Sequence, residues 1–223
     1  MADAQLVYFA DPMCSWCWGF APIIEALERA YAARLSVRVV MGGLRPGTTE
    51  PMSAEAATGM CGYWEKVAAA SGQPFGDSVA AREGFVYDTD PAARALVLAR
   101  RVEPAVTLAF LSRLQRAFYA EGRDVTDPDT LAELAAEQGF DRDAFRAGFE
   151  EEGLKEETWR DYALSQRAGV TGFPTLIVGP QVDGTFAMVS QGFNSLAPVA
   201  TRLEAWLAAQ QPAQAAESLA AGS

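Results

Sequence analysis

The chain of 223 residues contains no histidine. That absence removes Ser-His-Asp and Cys-His catalysis, the imidazole metal ligand and the side chain that titrates near neutrality. Cysteine is scarce, with three in the whole chain. A tetrahedral zinc site takes four Cys or His ligands and an iron–sulfur cluster usually four cysteines, so neither is expected, and no other cofactor is indicated. Basic residues are outnumbered: 18 Lys and Arg stand against 29 Asp and Glu, for a net charge of −11. This balance argues against nucleic acid and against anionic membrane surfaces as partners. No apolar run approaches the ~20 residues that span a bilayer. No basic start, apolar stretch and cleavage site precede the first strand, so the expected location is the cytoplasm. Structural disulfides are rare there, and closely spaced cysteines read as catalytic or metal-binding.

What is present concentrates near the start. Half of the residues are hydrophobic, enough for a substantial core. Leu6-Val7-Tyr8-Phe9-Ala10 is a short apolar run bounded by Asp11-Pro12, the pattern of a buried strand. Phe20, Ile24, Leu27 and Tyr31 then recur at helical spacing, with Cys17 and Ala21 on the same face. Cys14 therefore lies where a strand ends and a helix begins. A thiol there feels the positive end of the helix dipole and meets free backbone N–H groups. Cys17 falls one turn later on the same face, a geometry that lets a disulfide form and reopen without backbone movement. Cys14-Ser15-Trp16-Cys17 thus has the layout of a dithiol redox site. Half a zinc site and an inert buried pair are the alternatives that the spacing alone leaves open.

A second strand is expected from Leu35 to Met41, closed by Gly42-Gly43, and strand–helix–strand order implies a parallel pair with a right-handed crossover. From about Ser53 to Gly169 the pattern is helical. Ser53 caps a helix with Met60, Cys61, Trp64 and Val67 on its apolar face, Asp90-Pro91 opens another, and Val106, Phe110, Leu114 and Phe118 mark the next. Shorter helices follow from Thr126-Asp127-Pro128 and from Asp141, and a last one over Lys155–Ala168 is expected to bury Trp159 and Tyr162. Strand signals return at Phe173–Val178 and Phe186–Gly192, close enough for an antiparallel hairpin. An amphipathic helix from Leu196 to Ala209 follows, with Leu196, Val199, Leu203, Trp206 and Leu207 as its apolar face, and 211–223 has the composition of a disordered tail. The expected division is 1–45 and 169–210 forming one α/β unit with a mixed sheet, 46–168 an inserted helical domain, and 211–223 the tail.

Gly172-Phe173-Pro174-Thr175 is the second informative stretch. On residues alone its proline opens a strand and its peptide bond reads as trans. The string Cys14-Ser15-Trp16-Cys17-Trp18-Gly19-Phe20, the helical insert and Val170-Thr171-Gly172-Phe173-Pro174-Thr175 together resemble the DsbA family of thiol–disulfide oxidoreductases, most of all its cytosolic FrnE-type branch. The resemblance covers all but the tail. It implies a thioredoxin-like mixed sheet with a large all-helical domain inserted between the second strand and the late hairpin. It implies Cys14 as nucleophile, Cys17 as resolving thiol, and a cis Pro174 packed across from them, with Phe173 offering backbone groups to a bound peptide. Periplasmic members carry a histidine between the cysteines where this chain has Ser15-Trp16, so a cation that helps hold a thiolate is missing.

The function expected is disulfide exchange with protein or peptide substrates, with isomerase or reductase work favoured over net oxidation. Glutathione and a thioredoxin-type reductant are candidate partners, and the sequence does not single out an electron donor. A potential on the order of −200 to −270 mV follows, rather than the ~ −120 mV of a strong oxidant. Trp16 is a candidate substrate contact, whereas Trp18, Met13 and Phe20 are expected to pack and Cys61 to be a buried thiol. Two other classes compete: a kappa-like glutathione-dependent transferase or isomerase, against which Cys17 counts, and a peptide-binding chaperone with the cysteines as a redox switch.

Overall fold

The computed structural model describes residues 4–220 apart from 78, 79, 81, 83 and 182, and of 211–220 the backbone alone. Strand β1 (Gln5–Ala10) is the centre of a four-stranded sheet of order β2-β1-β3-β4. On one side it pairs in parallel with β2 (Ser36–Met41), Tyr8 opposite Val39. On the other it pairs antiparallel with β3 (Thr175–Gly179), which turns back into antiparallel β4 (Ala187–Gln191). The period-two pattern of β1 sorts its side chains. Leu6, Tyr8 and Ala10 enter the main core, whereas Val7 and Phe9 join Val40 in a smaller cluster bordered by Leu164 and Phe173.

Helix α1 (Ser15–Tyr31) lies on the Tyr8 face and buries Phe20, Ile24 and Leu27 there. Pro22 stands inside it and has no N–H for the carbonyl of Trp18. That carbonyl instead accepts from the Gln73 side-chain amide at 3.0 Å, and the Trp18 indole N–H donates to the Pro74 carbonyl at 3.0 Å. The segment after α2 (Ala54–Ser71) is thereby fastened to α1. Ser53 caps α2 through the Ala56 N–H, and Gly72 closes it with φ of 73°. Gly19 lets the two helices approach, since a Cβ there would stand 3.1 Å from that of Ser71 and 3.2 Å from Val67.

Next along the chain come α3 (Asp90–Val102), α4 (Thr107–Tyr119), α5 (Pro128–Ala136), α6 (Arg142–Gly148) and α7 (Glu152–Arg167), with a 3-10 turn at Pro104–Val106. All of them fall between β2 and β3 in the chain. Asp161 on α7 ties this helical layer to the sheet. It accepts the Met41 N–H at 2.9 Å and pairs with Arg100 of α3 at 2.7 Å, while Arg100 also donates to the Val39 carbonyl.

Four expectations differ from what is seen. Trp159 is 54 % exposed, stacked edge-on against the buried Tyr162 instead of entering the core. Leu196 is exposed at the start of α8 (Leu196–Ala220). Cys61 is half-buried, because α2 turns only Ala57, Trp64 and Val67 fully inward. The backbone of 211–220 continues α8, where composition suggests disorder. Its Ala, Gln and Glu are good helix formers. Residues 221–223 lie outside the described part.

Candidate active site

Cys14 is the N-cap of α1, with extended backbone (φ −92°, ψ 115°) and its carbonyl taking the first helical bond from Trp18 at 3.0 Å. Its own N–H donates to the Asp11 carbonyl at 3.1 Å. The turn out of β1 thus presents the thiol at a helix N-terminus, where unpaired N–H groups and the helix dipole favour negative charge. Cys17 lies one turn on and is fully buried, while Cys14 keeps 6 % exposure; both thiols are free. Burial pushes the Cys17 thiol well above its ordinary pKa, and the adjacent Cys14 raises it further. The two sulfurs therefore differ in access, Cys14 facing the opening and Cys17 sealed behind it.

The Cys14 thiol donates to the Phe173 carbonyl at 3.7 Å. The Phe173–Pro174 bond is cis, as the family resemblance implies and contrary to the reading from residues alone; Gly179–Pro180 is cis as well. Pro174 is buried behind Phe173, and its carbonyl accepts the Gly192 N–H at 2.8 Å. Gly42 makes room for this arrangement, because a Cβ there would land on the Phe173 ring.

A cavity of about 260 Å³ opens at Cys14, with Ser15, Trp16, Leu44, Arg45, Tyr63 and Phe173 in its wall. Ser15 is buried as the first residue of α1. Trp16 is half-buried and held from two sides. Its indole N–H donates to the Tyr63 hydroxyl, and its ring lies 5.3 Å from that of Phe193. Leu44 and Tyr63 are 40 % and 45 % exposed, which gives the opening an apolar lip. Arg45 is the one cationic side chain among the lining residues. Its guanidinium lies over the Tyr87 ring at 5.2 Å, and its N–H donates to Thr89 Oγ1 at 3.0 Å.

Asp11 organises the floor. It is fully buried, and its two carboxylate oxygens accept the N–H groups of Met13 and Leu44, each at 2.9 Å. Burial raises its pKa to about 6, against the lowering effect of those two bonds. The Tyr87 hydroxyl donates to the Met13 carbonyl at 2.6 Å and shares a contact of 3.3 Å with Tyr119. Sequence reading placed Cys14, Cys17, Ser15, Trp16, Phe173 and Pro174 here, and the fold brings all six together. It missed Asp11, Arg45, Tyr63 and Tyr87. The Asp11-Pro12 pair was legible as a turn, but nothing in the chain marks an arginine over a tyrosine 42 positions away.

A sheet with both parallel and antiparallel neighbours to its central strand, whose first helix starts at a pair of cysteines, is thioredoxin-like, here with a helical insertion between β2 and β3. More narrowly, the chain belongs to the family of the DSBA-like thioredoxin domain, whose model matches residues 5–204. Among solved structures, it is similar to a candidate protein disulfide isomerase from Nitrosomonas europaea, at 35 % identity and a TM-score of 0.85 over 92 % of this chain and 98 % of that one. It is also similar to the cytosolic disulfide reductase DsbM from Pseudomonas aeruginosa, at 29 % identity and a TM-score of 0.72 over 93 % and 98 %. The same protein, solved with GSH, aligns at 28 % identity and a TM-score of 0.70 over 93 % and 99 %. A ClpXP adapter protein, SpxH from Shouchella clausii, is 23 % identical over 173 residues, 78 % of this chain and 57 % of that protein, so the chain spans just over half of its length. Among the described residues no helix is long and apolar enough to cross a membrane.

Proposed function

We propose that the protein is a cytoplasmic thiol–disulfide oxidoreductase that exchanges disulfides with protein or peptide substrates. The observation that carries this reading is the asymmetric pair: Cys14 at the mouth of the cavity on a helix N-terminus, Cys17 sealed behind it. As a thiolate, Cys14 attacks one sulfur of the substrate disulfide. The Cys14–substrate bond forms, the substrate S–S bond breaks, and the released sulfur takes a proton from water. Cys17 then loses its proton and attacks Cys14 Sγ, forming the Cys14–Cys17 disulfide and releasing the second substrate thiol. Two electrons and two protons have passed from the pair to the substrate.

Regeneration needs an external dithiol or two monothiols. Glutathione suits the site in charge, since Arg45 offers a cation to a carboxylate beside an apolar wall. The structural neighbour solved with GSH supports this choice. Phe173 supplies a backbone acceptor opposite Cys14, and the Trp16 and Tyr63 rings form a surface for a peptide side chain. The test is insulin disulfide reduction with dithiothreitol. Wild type accelerates it, Cys14→Ser does not, and Cys17→Ser accumulates a mixed disulfide. Equal acceleration by wild type and Cys14→Ser, or none by wild type, overturns the reading.

A further inference from the structure

The Tyr8 hydroxyl is fully buried and forms no hydrogen bond of normal geometry among the described residues. A buried hydroxyl left short of a partner is costly and rare enough to require an explanation. Its position supplies one. Tyr8 sits mid-strand in β1, between Val39 and Leu176, and points to the face that carries α1. Its ring lies 5.9 Å from that of Phe20, which is one helical turn after Cys17 on the same face. The polar group that it meets there is the Cys17 thiol, itself fully buried.

We propose that Tyr8 is a catalytic residue of the resolving step, donating its hydroxyl proton in a hydrogen bond to Cys17 Sγ as that sulfur becomes a thiolate. The inference rests on the assignment of Cys17 as the resolving thiol. The contact falls short of a well-formed hydrogen bond while Cys17 is a thiol and tightens when charge appears, so it stabilises the reactive form more than the resting one. Tyr8 cannot serve as the base. Burial pushes its phenol well above the ordinary value, and the charge of Cys17 pushes it further, so it keeps its proton throughout. The Cys17 proton leaves to solvent base; Cys17 Sγ bonds to Cys14 Sγ; the substrate sulfur departs and is protonated by water. The other titratable groups around the two side chains are Cys14 and Asp11, and both disfavour a Cys17 thiolate by their charge. Tyr87 and Tyr119 feel the charge of Cys14, and their hydroxyls are engaged with the Met13 carbonyl and with each other. Tyr8 is thus the neutral donor facing Cys17.

A buried hydrogen bond to a charged sulfur corresponds to roughly one pKa unit or more. Its loss leaves about a tenth of the thiolate. The more basic thiolate then attacks about threefold faster, for a Brønsted slope of 0.4–0.5. The net expectation is a resolving step about threefold slower at neutral pH, with a pH profile moved up by about one unit. Stopped-flow reaction with 5,5′-dithiobis(2-nitrobenzoate) separates the steps, because attack by Cys14 and resolution by Cys17 each release one thionitrobenzoate. In Tyr8→Phe the second phase slows by about threefold relative to the first and its profile shifts upward. A second phase with an unmoved profile overturns the proposal; an idle hydroxyl would leave the kinetics alone and make Tyr8→Phe the more stable protein in urea. Absence of the first phase in wild type would instead defeat the oxidoreductase reading. In that event the Cys17 thiolate is titrated at 240 nm in the Cys14→Ser background, with and without Tyr8→Phe, and an unmoved Cys17 pKa overturns the proposal. Should Tyr8→Phe fail to fold, 3-fluorotyrosine placed at position 8 keeps the shape and strengthens the donor. The profile then moves down, and no movement overturns the proposal.

Discussion

The Leu44 N–H donates to Asp11 Oδ2 at 2.9 Å, so the loop after β2 is pinned to the loop that carries the cysteines. The other oxygen of Asp11 holds Met13 directly before Cys14. Burial places the native pKa of Asp11 at about 6, above its ordinary 3.8. The folded state therefore binds this proton more tightly than the unfolded chain. The resulting stabilisation is fully present below about 3.8 and is lost as pH rises through about 6, a change on the order of 3 kcal/mol. In Asp11→Asn that component disappears. Urea denaturation at pH 4, 5, 6 and 7 should show the difference between wild type and variant changing by about this amount over the interval, in the direction of relatively greater wild-type stability at low pH. A pH-independent difference would contradict the assignment.

Gly42→Ala tests how firmly Phe173 must be held. The new methyl group would occupy the ring position of Phe173, whose carbonyl accepts from Cys14. Overpacking of this kind costs about 1–3 kcal/mol, while a displacement of about 1 Å at a reacting centre costs up to about 100-fold in rate. The expected outcome is a tenfold or greater loss of insulin reduction with a modest loss of stability. A variant less stable by that amount but fully active would show that Phe173 needs no such placement.

Arg45→Ala addresses the small-thiol partner. Arg45 is exposed, so its pairing with a carboxylate is screened and amounts to about 1 kcal/mol or less. The expected change is up to about a fivefold rise in KM for glutathione as the reductant with kcat retained, and little effect on insulin reduction driven by dithiothreitol. Raised salt should narrow the difference. An unchanged KM at low salt would remove Arg45 from the recognition of this partner.

The potential of the Cys14–Cys17 couple should fall between about −200 and −270 mV. No cation stands between the two cysteines, whose neighbours are Ser15 and Trp16. Equilibration with glutathione redox buffers, followed by tryptophan fluorescence, would measure it. A value near −120 mV would show that the helix terminus alone supplies the stabilisation attributed elsewhere to a histidine.

The fold was legible where local pattern and tertiary role agree. The apolar run of β1, the helical spacing of Phe20, Ile24 and Leu27, and the caps at Ser53, Asp127 and Asp141 each predict an element that forms. Trp159 was misread because an aromatic at helical spacing does not reveal which arc of α7 faces the core. Cys61 was misread for a similar reason: cysteines are commonly buried, but α2 offers only a narrow inward stripe. In the site, the cysteines announce themselves by spacing. Asp11, Tyr8 and Arg45 do not, since their importance lies in which backbone donor, thiol or ring the register brings alongside them.

The contact between Cys14 and Phe173 spans 159 positions of the chain. At about 5–20 residues per second, synthesis takes roughly 8–30 s to cover that distance. For that interval β1 has β2 on one flank and nothing on the other, because β3 does not yet exist. The dithiol therefore reaches the outside of the ribosome well before the segment that will face it. Long separation also slows the final closure, since the entropy of the intervening loop is lost before the pairing of β1 with β3 offsets it. The order of translation makes the thiols the first part of the site to meet the surroundings and their gatekeeper the last.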